Sequence, residues 1–145
     1  MSCCLRYVII GCGLLGMLGM IGLSTPTWSA TKPTLVVLGD SLSAAYGIAA
    51  EQGWVSLLQQ RLREQGFPHR VVNASISGDT TRSAQQRVIG VLVRHTPTIV
   101  IIELGGNDGL RGLSLVDMKA NLTAIVRRAQ QRGAKVLLVG MKIPP

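Results

Sequence analysis

Thr34-Leu35-Val36-Val37-Leu38-Gly39-Asp40-Ser41-Leu42-Ser43 runs from an almost wholly apolar stretch into a short polar turn. A continuous apolar run of this length, closed by glycine, predicts a strand covered on both faces. Gly39 allows the chain to turn sharply, which lifts the Ser41 hydroxyl above the end of that strand.

Downstream, strands and helices alternate. Gly53 to Gln65 carries Trp54, Leu57, Leu58, Arg61 and Leu62 at helical spacing, with Gly66 placed to end the helix in a left-handed conformation. Arg70-Val71-Val72-Asn73 reads as a second strand. From about Thr80 to Arg94, Ala84, Val88, Val91 and Leu92 share one face, and Asp79 or Thr80 is suited to cap the free amides. Pro97 stops that helix, and Thr98-Ile99-Val100-Ile101-Ile102 forms the third strand. Ser114 and Asp117 make a capping box before Leu115, Met118, Leu122, Ile125 and Ala129; Gly133 closes the helix before a fourth strand, Lys135 to Val139. The expected fold is α/β, a three-layer αβα sandwich on a mostly parallel sheet. Ligands of such folds lie beyond the carboxyl ends of the strands, near a reversal in strand order. Ser41, Gly78 in Ser77-Gly78-Asp79 and Asn107 in Gly105-Gly106-Asn107-Asp108 all fall at that rim.

A length of 145 residues with 47% hydrophobic content suits one domain with a sizeable core. Residues 1–30 read as a leader: Arg6 is followed by an apolar, glycine-rich stretch from Tyr7 to Leu23, then by small residues near Ser29 and Ala30. A secretory signal leaves residues 31–145 as the exported domain, periplasmic or secreted, with no membrane span after processing. The rival is a retained anchor, since a span needs about 20 apolar residues. Cys3, Cys4 and Cys12 all lie in the leader, so the exported part has neither a disulfide nor a thiol nucleophile. The net charge of +8 is scattered rather than concentrated, and aromatic content is only 3%. Both features exclude a nucleic-acid footprint.

A serine hydroxyl attacks an acyl carbon only when a base takes its proton, and the developing oxyanion needs preorganised donors. Ser41 is the nucleophile candidate, with a turn or capping serine as the plain alternative; Ser43 is the rival nucleophile. Gly78 presents an unobstructed amide, Asn107 a neutral carboxamide, and Ser41 its own amide. Asp40, Asp79 and Asp108 read as loop-orienting residues, Asp79 also as a helix cap. His69 and His95, the two histidines of the chain, precede strands and so sit at the opposite end from Ser41. Glu103 closes the third strand, and nothing requires it to be a base. No spacing of His, Asp and Glu suggests a metal, and no glycine pattern suggests a dinucleotide. The triplets Asn73-Ala74-Ser75 and Asn121-Leu122-Thr123 match a short glycosylation pattern but are placed at a strand end and within a helix.

The three blocks Val37 to Ser43, Asn73 to Thr80 and Glu103 to Gly112 resemble, in order, the first three conserved blocks of the SGNH, or GDSL, hydrolases. The likeness spans about residues 33 to 145 and is greatest to the family's bacterial periplasmic branch of esterases, thioesterases and lysophospholipases. It implies a flavodoxin-like sandwich hydrolysing small-molecule acyl esters or thioesters through an acyl-enzyme on Ser41. It also implies an oxyanion hole of Ser41, Gly78 and Asn107, and neither metal nor organic cofactor. The family's fourth block, Asp-x-x-His, has no counterpart in these 145 residues. The chain is therefore expected to be the front portion of a longer fold, inactive on its own and able to self-associate through an open sheet edge. Two alternatives stand beside this reading: a truncated, non-catalytic binding domain, and an acyltransferase using the same serine. Leu42, Tyr46, Ile76 and Leu110 lie near the loops and either line a groove or pack beneath it.

Overall fold

The computed structural model describes residues 32–141. The proposed leader, residues 1–30, lies outside that range. Four strands, β1 (Thr34–Gly39), β2 (Arg70–Asn73), β3 (Ile99–Glu103) and β4 (Lys135–Leu138), form one sheet in the order β2-β1-β3-β4. Every pairing is parallel. The chain steps from β1 to β2 on one side and returns to place β3 on the other. The reversal in strand order therefore falls between β1 and β3, whose carboxyl ends lead to Ser41 and Asn107.

The pleat explains the three layers, because alternate residues of a strand face opposite sides. Leu35, Val37 and Ile101 pack with Val55 of α1 (Trp54–Glu64), joined by Trp54, Leu58 and Leu62. Leu38, Val100 and Ile102 pack on the other face. There they meet Ala84, Val88 and Leu92 of α2 (Thr81–His95), and Ile125 and Ala129 of α4 (Leu115–Gln131). Every residue of β1 is buried, as its uninterrupted apolar run predicts.

Helix ends follow their local chemistry. Gly66 takes φ +75°, and Phe67 N donates to Leu62 O as the chain leaves α1. Thr80, not Asp79, caps α2: its Oγ1 accepts from Ser83 N while Ser83 Oγ accepts from Thr80 N. Asp79 is instead turned toward Ser83 and Arg87 side chains. A short helix, α3 (Gly106–Leu110), replaces the loop expected after Gly105. Leu57 and Leu115, read as inward-facing from spacing, are half exposed and exposed.

Candidate active site

Glycine at 39 is required by a close approach. A Cβ there would lie 2.5 Å from Ser43 Oγ and 3.0 Å from Glu103 Oε2. The turn thus folds Ser43 directly back over the end of β1. Asp40 holds the turn from within: its Oδ1 accepts from Leu42 N at 3.0 Å, and its carbonyl accepts from Ala44 N at 2.9 Å. Ser41 stands half-buried at the crest. Ser43 is only 1% exposed, donating to Glu103 Oε2 at 2.7 Å and accepting from Trp54 Nε1 at 3.2 Å. Its hydroxyl is committed and closed to solvent, which removes it as a rival nucleophile.

The second loop is tied to the first through the backbone. Ala74 N donates to Val37 O and Ile76 N to Gly39 O, extending the β1–β2 ladder past its last paired residues. Gly78 then takes φ +80°, a conformation that side-chain-bearing residues rarely adopt. Its carbonyl accepts from Arg111 Nη2 at 3.0 Å. Asp79 beside it is buried and ion-paired with Arg87, whose Nε lies 2.8 Å from Asp79 Oδ2 and whose Nη1 donates to Ala74 O. Arg87 therefore clamps both ends of the Gly78 loop.

Asn107 joins all three loops. Its Nδ2 donates to Asp40 Oδ2 at 3.1 Å and to the Asp79 carbonyl at 2.9 Å. Gly105, at φ +114°, starts the turn that carries it there. The adjacent Asp108 points the other way: Oδ1 accepts from Thr81 Oγ1 at 2.6 Å and Oδ2 from Thr81 N at 2.9 Å. Asn121 Nδ2 also reaches Thr81 Oγ1, at 3.2 Å. So Asp108 seats α3 on the amino end of α2, where a carboxylate also meets the helix dipole favourably.

Glu103 is the member of the rim that spacing alone does not single out. It is 5% exposed, its Oε2 takes the Ser43 hydroxyl, and its Oε1 is buried without a hydrogen-bond partner. Burial pushes its carboxyl above the usual range; hydrogen bonding from Ser43 opposes this, and the nearby Asp40 carboxylate pushes the same way as burial. A glutamate closing an otherwise apolar, fully covered strand is the signal available in the sequence, since a buried carboxyl demands partners. His69 and His95 lie before β2 and β3, at the opposite end of the sheet from Ser41. Leu42, Tyr46, Ile76 and Leu110 are all more than half exposed, so they do not pack beneath the loops. No cluster suited to a metal ion occurs among the described residues. Nor is any helix there long and apolar enough to cross a membrane.

Residues 37–145 match the family model described as GDSL-like Lipase/Acylhydrolase family. The chain is 49% identical over 127 residues to Esterase TesA of Pseudomonas aeruginosa, covering 88% of this chain and 63% of that protein. It is 40% identical over 116 residues to Thioesterase 1/protease 1/lysophospholipase L1 of Escherichia coli K12, covering 80% of this chain and 54% of that one. Among solved structures, a crystal structure of TesA superposes with TM-score 0.76 at 52% identity, covering 77% of this chain and 62% of the other. AlinE4, described as an SGNH-hydrolase family esterase, gives TM-score 0.74 at 40% identity, over 79% and 61%. The chain thus spans less than two thirds of the length of these relatives. The match to the family model, the ordered blocks and the parallel sheet agree, and the chain belongs to the GDSL-like lipase/acylhydrolase, or SGNH hydrolase, family.

Proposed function

We propose that the protein is a serine acyl hydrolase that cleaves carboxylic esters and acyl thioesters through an acyl-enzyme. Ser41 Oγ bonds to the acyl carbon, the alcohol or thiol departs with a proton, and water then releases the acid and frees Ser41. The amides of Ser41 and Gly78 and the Asn107 carboxamide are the proposed oxyanion donors. One observation carries this reading: Asn107 Nδ2 bridges Asp40 of the first loop and Asp79 of the second. The three loops are thereby tied to one another beyond the carboxyl ends of β1 and β3, which supports the reading.

Both N–H groups of Asn107 Nδ2 are engaged by protein acceptors. In this reading the longer bond, to Asp40 Oδ2, is exchanged for the substrate oxyanion as negative charge develops. Exposed Leu42, Tyr46, Ile76 and Leu110 offer apolar surface on the same loops, which suits an acyl chain. The base is not among the described histidines, and no Asp-x-x-His occurs within the 145 residues. The second reading is a binding domain without turnover, and the test below separates the two. Export to the periplasm is proposed from the composition of residues 1–30, and the matched curated relatives are bacterial proteins.

The test has two parts. The gene is read beyond the codon for Pro145, and the encoded protein is assayed for a burst of p-nitrophenol from p-nitrophenyl esters. The hydrolase reading expects an in-frame Asp-x-x-His and a burst that Ser41→Ala abolishes. A stop codon directly after Pro145 with no burst supports the binding domain instead.

A further inference from the structure

Ser43 stands two residues beyond the proposed nucleophile and is held from three directions. Its Oγ donates to Glu103 Oε2 at the end of β3 and accepts from Trp54 Nε1 at the start of α1. Its carbonyl accepts from Asn73 Nδ2 at the end of β2, at 2.6 Å. Every polar atom in this set comes from a different element of the scaffold, while Ser41 itself sits on a turn. A carboxyl that is 5% exposed, with one oxygen unpartnered and a second carboxylate nearby, is a costly group to keep in a core. Stability alone would favour an apolar residue at that strand end, as at Ile102 before it.

From this convergence we infer that Ser43 and Glu103 form a positioning pair that fixes the Ser41 turn for attack, with Trp54 orienting the Ser43 hydroxyl. Neither residue touches the reacting atoms. Because Ser43 accepts from Trp54, its single proton is directed to Glu103, so the rotor has one setting. The pair then sets the crest of the turn relative to β3, the strand that leads to Asn107. Gly39 is the counterpart of this pair, since any side chain there would strike both members. The inference rests on Ser41 being the nucleophile.

The test uses the full encoded protein and measures kcat and KM for a p-nitrophenyl ester, with second-order labelling by a fluorophosphonate. Ser41→Ala is the control: labelling that survives it overturns the nucleophile assignment, and with it the basis of the pair. With that control silent, Ser43→Ala and Glu103→Ala are expected to lower kcat and labelling about a hundredfold at unchanged KM, the scale of a misplaced reacting group. Glu103→Gln keeps a hydrogen-bonding partner for Ser43 and is expected to restore most of the loss. Ser43→Ala removes one oxygen, so it reports even where Glu103→Ala fails to fold. Normal kcat in a folded Ser43→Ala protein, or a Glu103→Gln protein as slow as Glu103→Ala, overturns the inference while leaving Ser41 in place.

Discussion

Asn107 Nδ2 lies 3.1 Å from Asp40 Oδ2, so the third loop of the rim is fastened to the turn that carries Ser41. The bond lends the carboxamide a defined orientation before any ligand arrives. If Asn107 is an oxyanion donor, as proposed, the fixed loop spares most of the reorganisation and leaves the exchange of this one bond to the reaction.

Replacing Asn107 by Ala is expected to lower kcat of the encoded protein by a hundred- to thousandfold, or ~2.7–4 kcal/mol, as for other single oxyanion donors. Asn107→Asp should be at least as damaging, because it sets a carboxylate beside Asp40 and removes both N–H donors. Steady-state kinetics with a neutral ester measures both. Turnover unchanged in Asn107→Ala would take Asn107 out of the oxyanion hole and leave it as a loop fastener.

Asp108 supports the site from below rather than from within. Its two oxygens bind Thr81 N and Oγ1, and Thr81 is fully buried at the start of α2. Truncation to Ala leaves those donors short of partners, costing about 1–3 kcal/mol for each group left unsatisfied. Asp108→Ala should therefore lower the melting temperature clearly, whereas Arg111→Ala, which breaks an exposed contact to Gly78 O, should scarcely move it. Equal melting temperatures for the Asp108→Ala protein and the parent would contradict the buried role.

Asp108 and Glu103 mark the boundary of what sequence reading reaches. The parallel sandwich was legible because β1 and β3 are continuous apolar runs and the helices carry periodic apolar faces. The three loops were legible because each follows a strand and holds glycine with a polar residue. Pairings across the rim were not. Thr81 and Asp108 are 27 residues apart, Ser43 and Glu103 60 apart, and no local spacing links either pair. Trp54 reads as core from its helical position, yet its Nε1 serves Ser43. Asn73 reads only as the end of a strand, its glycosylation pattern set aside by that placement, yet its Nδ2 donates to Ser43 O. In each case a polar atom is satisfied by tertiary contact, which periodicity does not encode.

Glu103 should leave a signature in the pH dependence of stability. Its carboxyl is raised in the folded chain, first by burial and then by the Asp40 carboxylate, against bonding from Ser43. Between the ordinary glutamate value and the folded value, the folded state holds more protons than the unfolded one. The contribution is therefore fully present below the ordinary value and is lost as pH rises through the folded one. Glu103→Gln carries no proton to lose, so its melting temperature should fall less than the parent's over that window. Parallel melting curves for the two proteins from acid to neutral pH would argue against a raised carboxyl.

The two edges of the sheet differ in a way that predicts how residues 31–145 behave when expressed alone. At β2 the outward backbone is occupied: Gln59 Oε1 accepts from Val71 N at 2.7 Å, and Gln59 Nε2 donates to His69 O at 3.1 Å. The edge is blunted by a helix side chain, a common defence against strand pairing. At β4 no described side chain does the same, and Leu137 is 55% exposed beside half-exposed Leu138. Self-association of a polypeptide of residues 31–145, without the apolar leader, should therefore run through β4. Leu137→Lys is expected to shift it toward monomer in sedimentation velocity by adding a charge to the open edge. Gln59→Ala should open β2 as a further site. A parent chain that stays monomeric at high micromolar concentration, or a Leu137→Lys chain that associates as strongly as the parent, would show that β4 is not the sticky edge.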